Sequence, residues 1–139
     1  MSLELIPLGT IRITIARHTT IPGVPSGQRV VGEAAECIWD GDRVQARQWG
    51  STSSDWLTVH ADGSASVDAR LLFVTDDDAH IGMTYRGKAA AAPSTGAPVY
   101  TTPTFETDDP RYVWLNHIQA VGKGLRVGQL LTYELFELR

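Results

Sequence analysis

Apolar and polar residues alternate along most of this chain, the period of strands rather than helices. Leu3, Leu5, Ile11, Ile13 and Ile15 mark a long first strand, with a kink expected at Pro7–Gly9. The stretch Ile21–Gly27 holds two prolines and two glycines and reads as a loop. Asp40-Gly41 divides the run ending at Trp39 from Arg43–Trp49, and Asp62-Gly63 divides Asp55–His60 from Ser64–Val74. Asp-Gly pairs supply the positive φ angles of tight hairpins, so the middle of the chain predicts a meander of short strands. A turn at Asp76–Asp78 leads into a strand over His80–Arg86. Lys88–Pro98, alanine-rich and interrupted by prolines, predicts a loop or lid. Strands resume at Val99–Glu106, a proline-containing turn follows at Thr107–Tyr112, and two last strands run through Trp114–Val121 and Gln129–Leu138.

About nine or ten strands with no covering helix would leave open edges and a wet apolar face in a flat sheet. A closed antiparallel barrel solves both problems, and a two-sheet sandwich is the alternative. The chain's 139 residues make one domain, 1–139, large enough to hold a core without disulfides or metal. The single cysteine, Cys37, has no partner in the chain. The net charge of −4 and scattered basic residues argue against nucleic acid. With no long apolar run and no charged-then-apolar leader, the expectation is a cytoplasmic protein without a membrane partner.

Alternation also sorts candidate chemistry. Ala65, Val67, Ala69, Leu71 and Phe73 share one face of their strand, and Ser66, Asp68, Arg70 and Leu72 the other. Asp68 and Arg70 then stand about 7 Å apart along the strand, either as an outward ion pair or as an acid and a cation facing a ligand. Tyr85 falls with Ile81 and Met83; Thr102, Thr104 and Glu106 fall opposite Phe105. Glu106 either enters the cavity as an acid or base, or caps the following turn. Trp114, Asn116 and Ile118 share a face that puts an amide beside an indole. The four tryptophans, Trp39, Trp49, Trp56 and Trp114, fill cores or border polar cavities. His18, His60, His80 and His117 lack metal-ligand spacing, and no nucleophile elbow or phosphate-binding glycine loop occurs. No metal and no cofactor is therefore expected.

The run from Tyr100 to Asn116, with its Thr-Pro-Thr-Phe-Glu and Trp-Leu-Asn strings, resembles a small-barrel family catalogued as domain of unknown function 3237. Ser54-Asp55-Trp56, Asp62-Gly63, Asp68-Ala69-Arg70, Tyr85-Arg86-Gly87, Val121-Gly122-Lys123-Gly124 and Tyr133-Glu134-Leu135 are similar to the same family in the same order. The resemblance implies an antiparallel barrel, often oligomeric, with inward polar residues. Some fungal members are associated with cyclisation steps, which points toward a cofactor-free enzyme. This chain departs from the family at Ala35, Ala46 and Ser51–Ser54, where glycines are common, and at Lys88–Pro98, which is shorter.

The fold expected is all-β, a closed antiparallel barrel of about eight to ten strands, lipocalin-like or allene-oxide-cyclase-like, with little helix. The function expected is that of a cofactor-independent isomerase, cyclase or lyase acting on a partly hydrophobic small molecule. Asp68 or Glu106 would move a proton, and Arg70 with Tyr85 or Asn116 would steady negative charge. Trp39, Trp56, Phe105, Trp114 and Thr102 would line the pocket. The rivals are a non-catalytic binding barrel and an oligomeric scaffold filled solid by side chains. Turning Asp68 and Arg70 inward would turn Ala65–Phe73 outward, toward a second copy, so a homo-oligomer is expected.

Overall fold

The computed structural model describes residues 1–139 and consists almost wholly of strands. In chain order these are β1 Leu5–Val24, β2 Gly27–Asp40, β3 Gln45–Gln48, β4 Ser54–Val59, β5 Ala65–Thr75, β6 His80–Ala89, β7 Val99–Thr101, β8 Thr104–Glu106, β9 Ala120–Val127 and β10 Leu130–Leu138. Two short 3-10 turns, Pro93–Thr95 and Val113–His117, are the only helical segments. No helix is long and apolar enough to cross a membrane.

The hydrogen-bonded pairs run in a closed antiparallel circuit. β1 pairs with β10, β10 with β9, β9 with β7 and β7 with β6. β6 pairs with β5, β5 with β4, β4 with β2, and β2 returns to β1. β3 shares the position of β4 between β2 and β5, and β8 continues that of β7 along β6. Ten strands thus occupy eight positions round the ring. Closure removes the edges that an open sheet would expose.

One end of the barrel is packed solid. Trp39 stacks on Phe105 with ring centroids 5.3 Å apart and meets Phe73 edge-on at 5.5 Å. Its indole N–H donates to the Leu8 carbonyl at 2.8 Å, which satisfies the one polar atom of this cluster. Leu115, fully buried, plugs the same end from the Val113–His117 turn. Arg43 lies over the Trp114 ring at 4.6 Å and ion-pairs with Glu137 at 2.9 Å, tying the plug to β10. Trp39, Phe105 and Trp114 therefore belong to the closed end rather than to a ligand pocket.

The expected kink is a register shift between Pro7 and Gly9. Gly9 has φ +108, and a Cβ there would stand 2.7 Å from the Asp40 carbonyl oxygen. Asp62-Gly63 forms its hairpin, with Gly63 at positive φ, whereas Gly41 keeps an ordinary φ within a longer loop between β2 and β3. Three segments differ from the pattern reading. Ile21–Gly27 is mostly strand, because β1 runs to Val24 at a free edge where Pro22 forfeits no ladder bond. Val99–Glu106 is two strands, broken at Pro103, which has no N–H to offer. Trp114–His117 is helical rather than extended, and β9 begins only at Ala120. That strand carries Gly122 and Gly124 because a Cβ at Gly124 would stand 2.4 Å from the Tyr133 ring.

Gly9→Ala is expected to lose about 2 kcal/mol or more in urea unfolding, from strained φ plus a backbone clash. Gly23→Ala, with nothing within 4 Å of the added methyl, is expected to be neutral or slightly stabilising.

Candidate active site

Above the aromatic plug, β5 turns Ala65, Val67, Ala69, Leu71 and Phe73 into the barrel, and all five are buried. Alternation groups residues by face without saying which face is inside, and the apolar set wins the interior. This reverses the expected parity. Asp68 and Arg70 lie exposed on the outer wall, away from the barrel interior, and the argument for self-association from an outward Ala65–Phe73 face falls with them. Trp56 and Thr102 are likewise exposed on the outside.

Glu106 is exposed too, its side chain lying over Gly82 on the outer surface, where it shares a groove with Arg70. It neither enters the barrel nor caps the following turn. Asn116 does the local work there, accepting from the Thr107 N–H and donating to the Thr107 carbonyl, both at 2.9 Å. Of the ten candidates, Tyr85 alone reaches the interior space.

That space has two parts. An inner chamber of about 40 Å³ lies among Ile13, Ala34, Cys37, Leu71 and Tyr85. A wider one of about 300 Å³ opens past Val30, Leu57, Val67, Val99 and Tyr133 to His18, Gln28, Arg126 and the Ala92–Ser94 segment. The loop expected at Lys88–Pro98 thus borders the mouth. Asp55, Gly32, Ile15 and Leu131 line both chambers, which makes Asp55 the acid at their junction.

One cross-strand row explains the position of Asp55. Tyr85 pairs with Ala69, Ala69 with Asp55, Asp55 with Gly32, and Gly32 with His18. The carboxyl is flanked by a methyl and a hydrogen, so neighbours neither crowd it nor bond it. Four buried side-chain polar atoms in the protein lack a well-formed hydrogen bond, and three of them line this space: Asp55 Oδ1, Ser53 Oγ beside the Cys37 thiol, and Tyr133 Oη beside the Tyr85 hydroxyl. Orphaned buried polar atoms are costly to keep, and three of the four gather at this one cavity.

Burial pushes the Asp55 carboxyl up to about 6, against the opposing pull of the Arg126 charge. Tyr85 and Tyr133 pack edge-to-face, with centroids 5.3 Å apart. Burial, followed by the neighbouring phenol and Asp55, drives Tyr85 well above the usual range, and burial raises Tyr133 similarly. Both phenols stay protonated, so each keeps an O–H available to donate. Burial also lifts the Cys37 thiol to about 11, which leaves it neutral and a poor nucleophile. The four histidines are dispersed, and no three metal-ligating side chains converge.

Asp55, in the Ser54-Asp55-Trp56 string, is not among the candidates that the sequence pattern offers. The signal was present: Asp55, Leu57 and Val59 share a face of β4, so the acid sits in line with two aliphatic residues.

Residues 3–138 match the family described as "Protein of unknown function (DUF3237)". The chain belongs to that family. Among solved structures, a β-barrel-like protein from Acinetobacter baumannii AYE is similar at 25% identity and TM-score 0.89, covering 100% of this chain and 98% of that one. A conserved protein of unknown function from Rhodopseudomonas palustris is 20% identical with TM-score 0.91, over 100% and 99% of the two chains. An enzyme from Penicillium herquei is 22% identical with TM-score 0.77, over 99% and 94%. No curated protein matches. The last two likenesses show the fold alone.

A carboxyl at about 6 in the folded chain and near 3.9 in the unfolded one favours the neutral form on folding. Its contribution to stability is complete below the unfolded value and lost as pH rises through 6, leaving a penalty on the order of 2–3 kcal/mol at pH 8. Asp55→Asn is therefore expected to unfold at a higher temperature than the parent at pH 8 and at a similar one near pH 4. Lower stability at pH 8 would mean that the carboxylate is held by partners.

Proposed function

We propose that this barrel is a small-molecule acid–base enzyme of the isomerase, cyclase or lyase type, working without a cofactor on a partly hydrophobic substrate. The observation that carries the reading is Asp55: an unpartnered, shielded carboxyl with a pKa near 6 at the junction of two chambers. A group that titrates near working pH accepts and returns a proton with little bias either way. The Tyr133 and Tyr85 hydroxyls would donate to oxygen where negative charge develops as a C–H proton leaves. Isomerisation, ring closure and elimination all need only that pair of roles. The Penicillium herquei relative being an enzyme agrees with this, as does the cyclisation chemistry implied by the family resemblance.

The rival is a carrier, whose pocket has no need of an unpaired acid. Base-promoted ring opening of 5-nitrobenzisoxazole separates the two. A base removes the carbon-bound proton, the N–O bond breaks, and the charge passes to the phenolic oxygen. The parent protein is expected to accelerate this by about a hundredfold over buffer, with a rate rising through pH 6 as Asp55 ionises. Asp55→Asn is expected to abolish the acceleration, and Tyr133→Phe to weaken it about tenfold. An Asp55 that titrates in the ordinary carboxylate range by carbon NMR, with no Asp55-dependent turnover, would leave the barrel a carrier.

A further inference from the structure

We propose that the cavity takes an amphipathic monoanion, its carboxylate-type group held by Arg126 at the mouth and its compact apolar body extending past Asp55. The inference rests on the reading that this cavity is the working site, and it adds the class of ligand.

Arg126 follows Ala120, Gly122 and Gly124 along the inward face of β9. It takes part in none of the protein's five ion pairs. Its Nε donates to the Gly128 carbonyl at 2.9 Å, and an Nη donates to Gln129 Oε1 at 3.2 Å. Both acceptors are neutral. They fix the guanidinium plane without cancelling its charge, and they leave further N–H groups unassigned.

The one acid in this chamber, Asp55, feels the Arg126 charge across the cavity but forms no ion pair with it. β4 and β9 stand four positions apart in a ring of eight, so Asp55 and Arg126 rise from opposite walls. Glu33, the other acid beside the cavity, is engaged with Arg17 outside. His18 and Arg126 are thus the ionisable groups at the rim, and neither brings a negative charge. A neutral ligand would cover the guanidinium without pairing it, and a cationic one would oppose it; both lose affinity by desolvation. An anion gains a bidentate partner.

The other end of the ligand meets different chemistry. Val30, Leu57, Val67, Val99 and Leu131 wall the chamber, and a volume of about 300 Å³ sets a compact upper size. The inner chamber, about 40 Å³, admits only a small group such as a methyl. An apolar body anchored at Arg126 therefore passes Asp55 and places its carbon atoms beside the base.

The test uses 4-phenylbutanoate and its neutral amide, titrated by calorimetry and by amide shifts of the labelled protein. The carboxylate is expected to bind at least about tenfold tighter than the amide. Arg126→Gln should erase that preference while still binding the amide, and Arg126→Lys should keep part of it. Gly32→Leu should block both probes, since open space surrounds Gly32 and its added side chain would enter both chambers. Equal affinity for the two probes, no binding of either, an unchanged preference in Arg126→Gln, or unchanged binding in Gly32→Leu would each overturn the inference. Asp55→Asn should retain the carboxylate preference, so anion recognition and proton transfer can fail separately.

Discussion

An eight-position barrel encloses barely enough space for its own side chains, and everything functional here depends on how that space is shared. A full set of large inward residues would leave a solid core. The lower half takes that option, with Trp39, Phe73, Phe105, Leu8 and Leu115 in close contact. The upper half does not. Gly32 and Ala34 stand on β2 where larger side chains would fill the middle, and the inner chamber is the volume they leave open. Tyr133 is accommodated the same way, its ring lying where Gly124 has no Cβ.

A cavity made by omission changes the energetics of any polar group beside it. Asp55 gains depth from the barrel without gaining hydrogen-bond partners, because its cross-strand neighbours are Ala69 and Gly32. Ser53 Oγ and Tyr133 Oη likewise lack a well-formed hydrogen bond. Stability would rise if these groups were replaced by aliphatic ones, and the plugged half shows that this chain can supply such packing. Proteins tolerate such local losses where the chemistry needs them, and the aromatic plug offsets them here. Close packing and open cavity are thus divided between the two ends of one barrel.

The same division decides what could be read from sequence. The all-β class, the Pro7–Gly9 kink and the Asp62-Gly63 hairpin rest on local rules, and they appear in the structure where those rules put them. The site does not rest on local rules. Asp68 and Arg70 looked functional because they alternate with an apolar set, yet alternation is symmetric and the apolar set went inside. Asp55 drew less notice although it shares its face with Leu57 and Val59, the pattern of a polar residue drawn into a core. Alternation puts Trp114 and Asn116 on a strand, but Arg43, distant in sequence, and Thr107, nine residues before Asn116, hold them at a helical turn. Those partners become visible only once the ring has closed.

The mouth completes the logic of an open upper half. β10 accompanies β1 only as far as Thr14, after which β1 continues to Val24 with β2 as its sole partner. That extension raises one wall of the barrel, carrying His18 and Thr20 on its inward face, while Ala92–Ser94 rises between β6 and β7. A molecule entering here meets polar groups at the rim, aliphatic walls below them, and a single acid at the depth where the chambers join. Each layer would demand something different from the proposed ligand, and the three demands would apply in a fixed order along one axis. Selection by order, rather than by any one contact, is what a narrow barrel with a single filled end can provide from so few residues.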